Sequence, residues 1–351
     1  MALPANPADR EGGGIRYPEG TLTMRRLAPA FALFFLAPLV AEFFLGDFPI
    51  TLIFLIVPLA TMYGAGALLI REVARRTGRG WPTIVTLALA FGVFEEALLT
   101  QSLFNPDYAD AHLLDDGFIT PLGIAIPWTI FVLTLHTVWS ISTPIALVEE
   151  STARSVQPWY RAPGLIVTIG VFVAGSAFTF AVSYGDGRYL ASTPKLLISA
   201  VIVLGLVAVA LLWPRPTAPT ATQAAPRPRL VFGATIIAGI VFMGSEILPV
   251  WPGVAAMVVA LIAIGNLIAR WSQITGWGPW HRFAAAAGAL LTYSWHGFTM
   301  TPIEGKGVMI NLISHVVYAI GALAILWVVA AKIRAHSAEP AATEVTALAT
   351  A

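Results

Sequence analysis

The residues best suited to chemistry in this chain are two adjacent acids and a few histidines. Glu95 and Glu96 stand side by side in VFEEALLTQSLFNP (residues 93–106), inside an apolar run long enough to cross a bilayer. A charged side chain at membrane depth costs at least ~2.5–3.5 kcal/mol on the insertion scale, so two neighbouring carboxylates there need partners or a cation. The chain has 6 histidines, His112, His136, His281, His296, His315 and His336. It has no cysteine, which removes disulfides, thiolate nucleophiles and zinc–thiolate sites. Any metal would have to be held by His, Glu, Asp or Asn.

Residues three, four and seven apart share one face of a helix. Gly92, Glu96 and Thr100 fall on one such stripe, which turns Glu96 toward a bundle interior and leaves Glu95 about 100° away as a helix-bridging group. Thr129, His136, Ser140 and Thr143 form a second polar stripe, Thr292, His296 and Thr299 a third, and Asn311, His315 and Tyr318 a fourth. Two chemistries fit this set. In the first, Glu96, His136 and one or both of His296 and His315 bind a divalent metal. Zinc is the best match, because catalytic zinc uses three imidazole or carboxylate ligands and a water. Glu95 would then be the general base, and Asn311 would hydrogen-bond an oxyanion. In the second, the same acids and histidines form the proton relay or ion-coupling site of a secondary transporter. A third class is a non-catalytic polytopic protein, whose Glu and His side chains simply pair with one another.

The elements that must position these groups are transmembrane helices. Of 351 residues, 57% are hydrophobic and 11% charged, against roughly 25% charged in soluble domains, and the mean hydropathy is +0.78. The fold expected is an all-α polytopic integral membrane protein, multi-pass in the cell membrane. Its natural partners are membrane lipids and a membrane-bound peptide or small-molecule substrate. A net charge of +1 offers no nucleic-acid footprint. Apolar runs of transmembrane length fall near 27–46, 50–70, 82–103, 124–147, 163–184, 195–213, 230–249, 252–269, 282–300 and 308–331. With both termini cytoplasmic, these ten spans put 17 of the 20 Lys and Arg inside and leave Arg188, Lys195 and Lys306 outside, as the positive-inside rule demands.

That topology sets depth. At ~1.5 Å of rise per residue, Glu95 and Glu96 lie one to two turns below the outer end of span 3, and His136 lies near mid-membrane on span 4. His296, Asn311 and His315 lie one or two turns from the outer face. Glu42 and Glu246 sit at outer helix ends, where an interfacial, solvated role is expected, and no embedded ionisable group falls in the inner half. The domain plan is a disordered tail (1–24), a first membrane half (25–213), a Pro/Ala/Thr-rich cytoplasmic linker (214–229), a second half (230–334) and a disordered tail (335–351). The outer loop 104–123, with four Asp among aromatics, is expected to pack over the outer mouth as a short lid.

Several patterns recur after the linker. Gly66-x4-Arg71 with TGRGWP echoes Gly265-x4-Arg270 with TGWGPW; His136-Thr-Val-Trp-Ser-Ile echoes His315-Val-Val-Tyr-Ala-Ile; and Glu42 matches Glu246. The order equates spans 1–4 with spans 7–10, a parallel repeat about an axis along the membrane normal.

Glu95-Glu96-Ala-Leu-Leu-Thr100, followed by a His on the next helix and a later His/Asn pair, resembles the CAAX-protease and bacteriocin-processing (CPBP, Abi) intramembrane proteases. The motifs of that family are EExxxR, FxxxH and HxxxN on transmembrane helices. The resemblance implies glutamate- or metal-dependent cleavage of a peptide near the membrane, with Glu95 and Glu96 in the first motif and His136 in the second. Thr100 stands where the family has Arg, Phe131 is five residues before His136, and the third motif is reversed as Asn311-x3-His315.

Overall fold

The computed structural model describes residues 19–153, 155–215, 224–302 and 307–349. Most of the expected N-terminal tail (1–18) and the middle of the linker (216–223) lie outside the described residues, as do Arg154 and Lys306. Ten helical rods follow in order. They are α1 (apolar part Leu27–Phe43), α2 (Ile50–Arg76), α3 (Trp81–Leu99), α4 (Ile126–Glu150), α5 (Ala162–Gly187), α6 (Thr193–Leu212), α7 (Pro228–Ile247), α8 (Val250–Trp271), α9 (Pro279–His296) and α10 (Val308–Ala349). Among the described residues eight of these are long and apolar enough to cross a membrane, two fewer than the ten spans expected. The exceptions are α1, whose apolar part is short, and α9, an 18-residue helix with Arg282 and two histidines. The chain is an all-α polytopic membrane protein. Its outer surface is clad in exposed Val201, Leu204, Ile166 and Val259, the pattern of a lipid-facing bundle. Helix α10 continues past the expected end of span 10 at residue 331, into the segment expected as a tail.

Helices α3 and α4 are the centre: 67% of the apolar window of each is buried, against 11% for α6. Helix α4 contacts α1, α3, α8, α9 and α10, so it joins the two membrane halves. Small residues permit the closest approaches, as in other membrane bundles. A Cβ on Gly64 would stand 2.0 Å from the carbonyl oxygen of Phe34, and one on Gly239 would stand 2.2 Å from Thr292 Oγ1. The outer loop carries a two-stranded antiparallel hairpin, β1 (Phe118–Ile119) and β2 (Ile124–Ala125), that leads into α4. Leu103, Phe104, Asn105 and Leu114 of this loop are buried, so it packs onto the bundle.

The inner half is not free of buried charge, contrary to expectation. Helices α2 and α4 run a turn or so beyond the spans read from hydropathy, which brings Arg71, Glu72, Glu149 and Glu150 into the packed interior at 0–5% exposure. Glu149 accepts from Arg71 Nε at 3.0 Å and from Arg75 Nε and Nη2 at 2.8 and 2.6 Å. Glu72 accepts from Arg71 at 2.6 Å, from Arg76 at 3.1 Å and from the Trp159 amide at 2.8 Å. Arg71 also stacks on Trp159, 3.7 Å from the ring centre. Arg282 of α9 clasps Glu150 through both Nε and Nη2, the latter at 3.0 Å. A hydropathy window ends at the first charges, so it cannot see that these charges neutralise one another inside the protein.

Two outcomes test this architecture. Glu149→Gln removes the negative charge shared by two guanidinium groups and turns one acceptor oxygen into a donor; breaking a buried ion pair costs about 3–5 kcal/mol, so the detergent-purified variant should melt well below wild type. An unchanged melting temperature would show that the network is not holding α2 to α4. Because the chain has no cysteine, Asp115→Cys should react with an impermeant maleimide in intact cells, and Gln273→Cys only after permeabilisation. The reverse pattern would invert the topology.

Candidate functional site

Four helices widen into π-helical turns at the residues that converge near the outer end of the bundle. These are Leu39–Phe43 of α1, Ala60–Gly64 of α2, Glu95–Leu99 of α3 and Leu135–Ser142 of α4. They carry Glu42, Tyr63, Glu95 with Glu96, and His136. Well under 1% of residues in soluble proteins are π-helical, and such turns concentrate at functional sites. A π turn also advances each residue by less than the 100° of an α-helix. Glu95 bridges to Tyr63 of α2, and the two carboxylates meet the same imidazole at its opposite nitrogens.

His136 lies between them, with Nε2 2.7 Å from Glu96 Oε1 and Nδ1 3.2 Å from Glu95 Oε2. The three residues are 2–6% exposed, and one ligand atom from each lies within 4.8 Å of the others. A Cβ on Gly92 would come 3.0 Å from His136 Cβ, so the glycine one turn below Glu96 lets α4 approach α3 closely enough for the contact. Tyr63 stacks parallel to the imidazole, 6.0 Å away, and its hydroxyl donates to Glu95 Oε1 at 2.5 Å. Thr100 donates to Glu96 Oε2 at 3.2 Å, and Ser102 donates to the same oxygen. Trp128 Nε1 in turn donates to Ser102 Oγ at 3.1 Å. Ser102 is held in place by the turn after α3. There Gln101 takes a left-handed conformation (φ +57°), and its side-chain oxygen accepts from the Ala191 amide at 2.7 Å. Non-glycine residues rarely adopt that conformation, and they do so mostly where the surroundings over-determine it.

The remaining expected residues are distributed differently. Glu42, expected to be solvated, is only half-exposed and faces the Tyr63 hydroxyl, within electrostatic reach of His136 and Glu96. Asp47 follows it around the turn between α1 and α2, and its amide donates to the Glu42 carbonyl at 3.0 Å. Among the described residues the converging group is Glu95, Glu96 and His136, and neither His296 nor His315 belongs to it. His315 packs on Gly46, where a Cβ would stand 2.9 Å from its ring, and on Phe298. His296 is 1% exposed; its Nδ1 lies 3.3 Å from Thr299 Oγ1, and its Nε2 has no hydrogen-bond partner. Asn311 sits one turn before His315, and its Oδ1 is buried without a partner. The echo between His136 and His315 therefore does not extend to their surroundings. Sequence spacing missed Tyr63 and Trp128, which stand on other helices, and Ser102, which lies seven residues after Glu95 but beyond the end of α3. Their one advance signal was polarity within or beside apolar runs.

The outer loop supplies a roof. Tyr108 is half-buried, and burial pushes its phenol above the ordinary range, with the Glu96, Glu42, Glu95 and Asp47 carboxyls adding to the effect.

Charge accounting defines what the centre can do. Two carboxylates and one imidazolium still leave one negative charge in an apolar setting, even before Glu42 and Asp47 are added. Among the described residues no Lys or Arg forms an ion pair with Glu95 or Glu96. Glu95 Oε2 is buried and accepts no well-aligned hydrogen bond. A buried oxygen with spare acceptor capacity, next to a second carboxylate and an imidazole, suits a proton or a divalent cation.

Residues 31–351 match an uncharacterized membrane protein family, and the chain belongs to it. No curated protein and no solved structure matches the chain.

Tyr63→Phe tests the centre without moving backbone. Hydrogen bonds to charged groups contribute roughly 1.5–3 kcal/mol, so the variant should be destabilised by that order in a melting experiment. Tyr108→Phe, at the half-exposed roof, should leave stability nearly unchanged. Equal effects from the two would place Tyr63 outside the carboxylate network.

Proposed function

We propose that the protein is a membrane-embedded hydrolase in which Glu95, Glu96 and His136 hold a divalent metal. The observation that supports this most is the convergence of these three donors, each from a π-helical turn, in a buried centre where no described Lys or Arg pairs with the acids. Two carboxylates and an imidazole are borderline-hard donors suited to zinc. The metal would supply a polarised water or substrate carbonyl. The protein's own residues do the rest. Ser102 and Thr100 fix one oxygen of Glu96, leaving the other toward His136. Tyr63 fixes one oxygen of Glu95 and leaves Oε2 to accept a proton. The resemblance to CPBP proteases supports a membrane-associated peptide as substrate.

A second reading, a proton relay in a transporter, is favoured by one specific feature. His136 engages both carboxylates through its two ring nitrogens, as an imidazolium holding a transferable proton would.

Elemental analysis of the purified chain separates these readings. The hydrolase predicts about one zinc-class ion per chain in wild type, given three protein ligands, and loss of most of it in Glu96→Gln and in His136→Ala. Because ligands must be deprotonated to bind, wild type should also release the ion as the pH falls. Equal metal content in all three proteins would sink the metal centre and leave the relay.

A further inference from the structure

A cavity of about 930 Å³ lies on the other flank of α4, between the two membrane halves. Its walls come from α3 and α4 on one side and from α7, α8 and α9 on the other, with Leu89, Leu133, Phe242, Leu261 and Ile264 among them. None of Glu95, Glu96 or His136 lines it. Several threonines do, but their hydroxyls are already spent. Thr129, Thr134, Thr137 and Thr235 each donate to the carbonyl four residues back, at 2.6–2.9 Å. Ser142 differs, with a buried hydroxyl that has no partner. A wall whose donors face inward to their own helix offers a polar solute almost nothing and offers a hydrocarbon chain a matched surface.

The inner end of the cavity has a different character. Trp81, Trp213 and Trp277 line it there, at the level where tryptophan marks a membrane–water interface. The described residues near this end, 213–215, 224–229 and 270–282, carry Arg215, Arg227, Arg229, Arg270 and Arg282 and contain no acid. Arg282 lines the cavity and is neutralised by Glu150. Arg215, Arg227, Arg229 and Arg270 are exposed; Arg215 and Arg270 follow closely on the cavity-lining Trp213 and Ala269 without lining it themselves, and Arg215 Nε donates to the Thr77 carbonyl oxygen at 3.3 Å. Pro226 is anchored beside this end by His281, whose Nε2 lies 2.8 Å from the Pro226 carbonyl oxygen. An apolar slot of ligand-binding size with an uncompensated cationic rim on the cytoplasmic side matches one class of molecule: an amphiphile with hydrocarbon chains and an anionic head.

We propose that this cavity binds an anionic phospholipid of the cytoplasmic leaflet, its acyl chains between α4 and α7–α9 and its phosphate at the arginine rim. Basic pockets between transmembrane helices on the cytoplasmic side hold anionic headgroups by the same electrostatics. The binding is independent of the Glu/His centre and stands whether or not that centre holds a metal.

Native mass spectrometry of the full chain in detergent, titrated with palmitoyl-oleoyl phosphatidylglycerol and with the phosphatidylcholine of the same chains, provides the test. Wild type should retain phosphatidylglycerol over phosphatidylcholine by on the order of tenfold, given the attraction of each arginine near the headgroup. Ala285→Trp fills the cavity and should abolish retention of both lipids. Val259→Trp, on the exposed face of α8, should not. The double variant Arg215→Gln/Arg270→Gln changes only exposed side chains and should bring phosphatidylglycerol down to the phosphatidylcholine level. Equal retention of the two lipids by wild type would overturn the proposal, and so would undiminished retention by a folded Ala285→Trp protein. If Ala285→Trp fails to fold, the arginine pair decides alone: unchanged lipid preference in that variant overturns it.

Discussion

Two adjacent carboxylates buried in an apolar bundle are the constraint on which the rest of this structure depends. Neither can be left unsolvated, because an isolated charge in such surroundings costs far more than any single packing contact returns. The protein therefore spends four helices on them. His136 is brought between the acids by the close approach of α3 and α4 at Gly92, and Tyr63, Thr100 and Ser102 take up three further acceptor positions. The π turns are the backbone counterpart of that requirement. Each lets a helix present its polar residue to the centre without unwinding in the membrane, where every exposed amide and carbonyl would need a partner.

The two ends of α2, α3 and α4 solve the same electrostatic problem in opposite ways. At the inner end, Glu72, Glu149 and Glu150 meet Arg71, Arg75, Arg76 and Arg282, and the guanidinium groups occupy the carboxylate oxygens. That layer is saturated, and it ties α2, α4 and α9 together with the 151–161 loop. At the outer end Glu95 and Glu96 have only a titratable partner in ion-pair range, so the layer can gain or lose a cation. Saturation marks the inner cluster as structural; the deficit at the outer one is what makes it a candidate for chemistry. Both depend on α4, which also forms one wall of the apolar cavity. Its three flanks thus serve the charged centre, the inner clasp and the interface between the membrane halves.

Much of this was legible in the chain itself, and the reason is the bilayer. Apolar length, the distribution of Lys and Arg, and the impossibility of unpaired backbone in lipid are local properties. They locate ten helical rods and mark Glu95, Glu96, His136, His296, Asn311 and His315 as candidates by residue type and depth. The 100° step placed Glu95 away from Glu96, and it does reach a different helix through Tyr63 while meeting the same imidazole at its other nitrogen. One other inference failed. A hydropathy window closed before Arg71 and Glu149, although these residues are buried because they pair with each other across helices.

What only the tertiary structure decided is which distant residues become neighbours. Among several membrane histidines it placed one between the acids and set His296 and His315 elsewhere. It added Tyr63 and Trp128 from other helices and Ser102 from the turn beyond α3, and it opened an apolar cavity between α3–α4 and α7–α9. The physical reason is that the cost of burying a charge is written in the local sequence, whereas the partner that repays it is selected by helix packing. Packing depends on glycine contacts and π turns summed over the whole bundle, and no single segment of the chain records it.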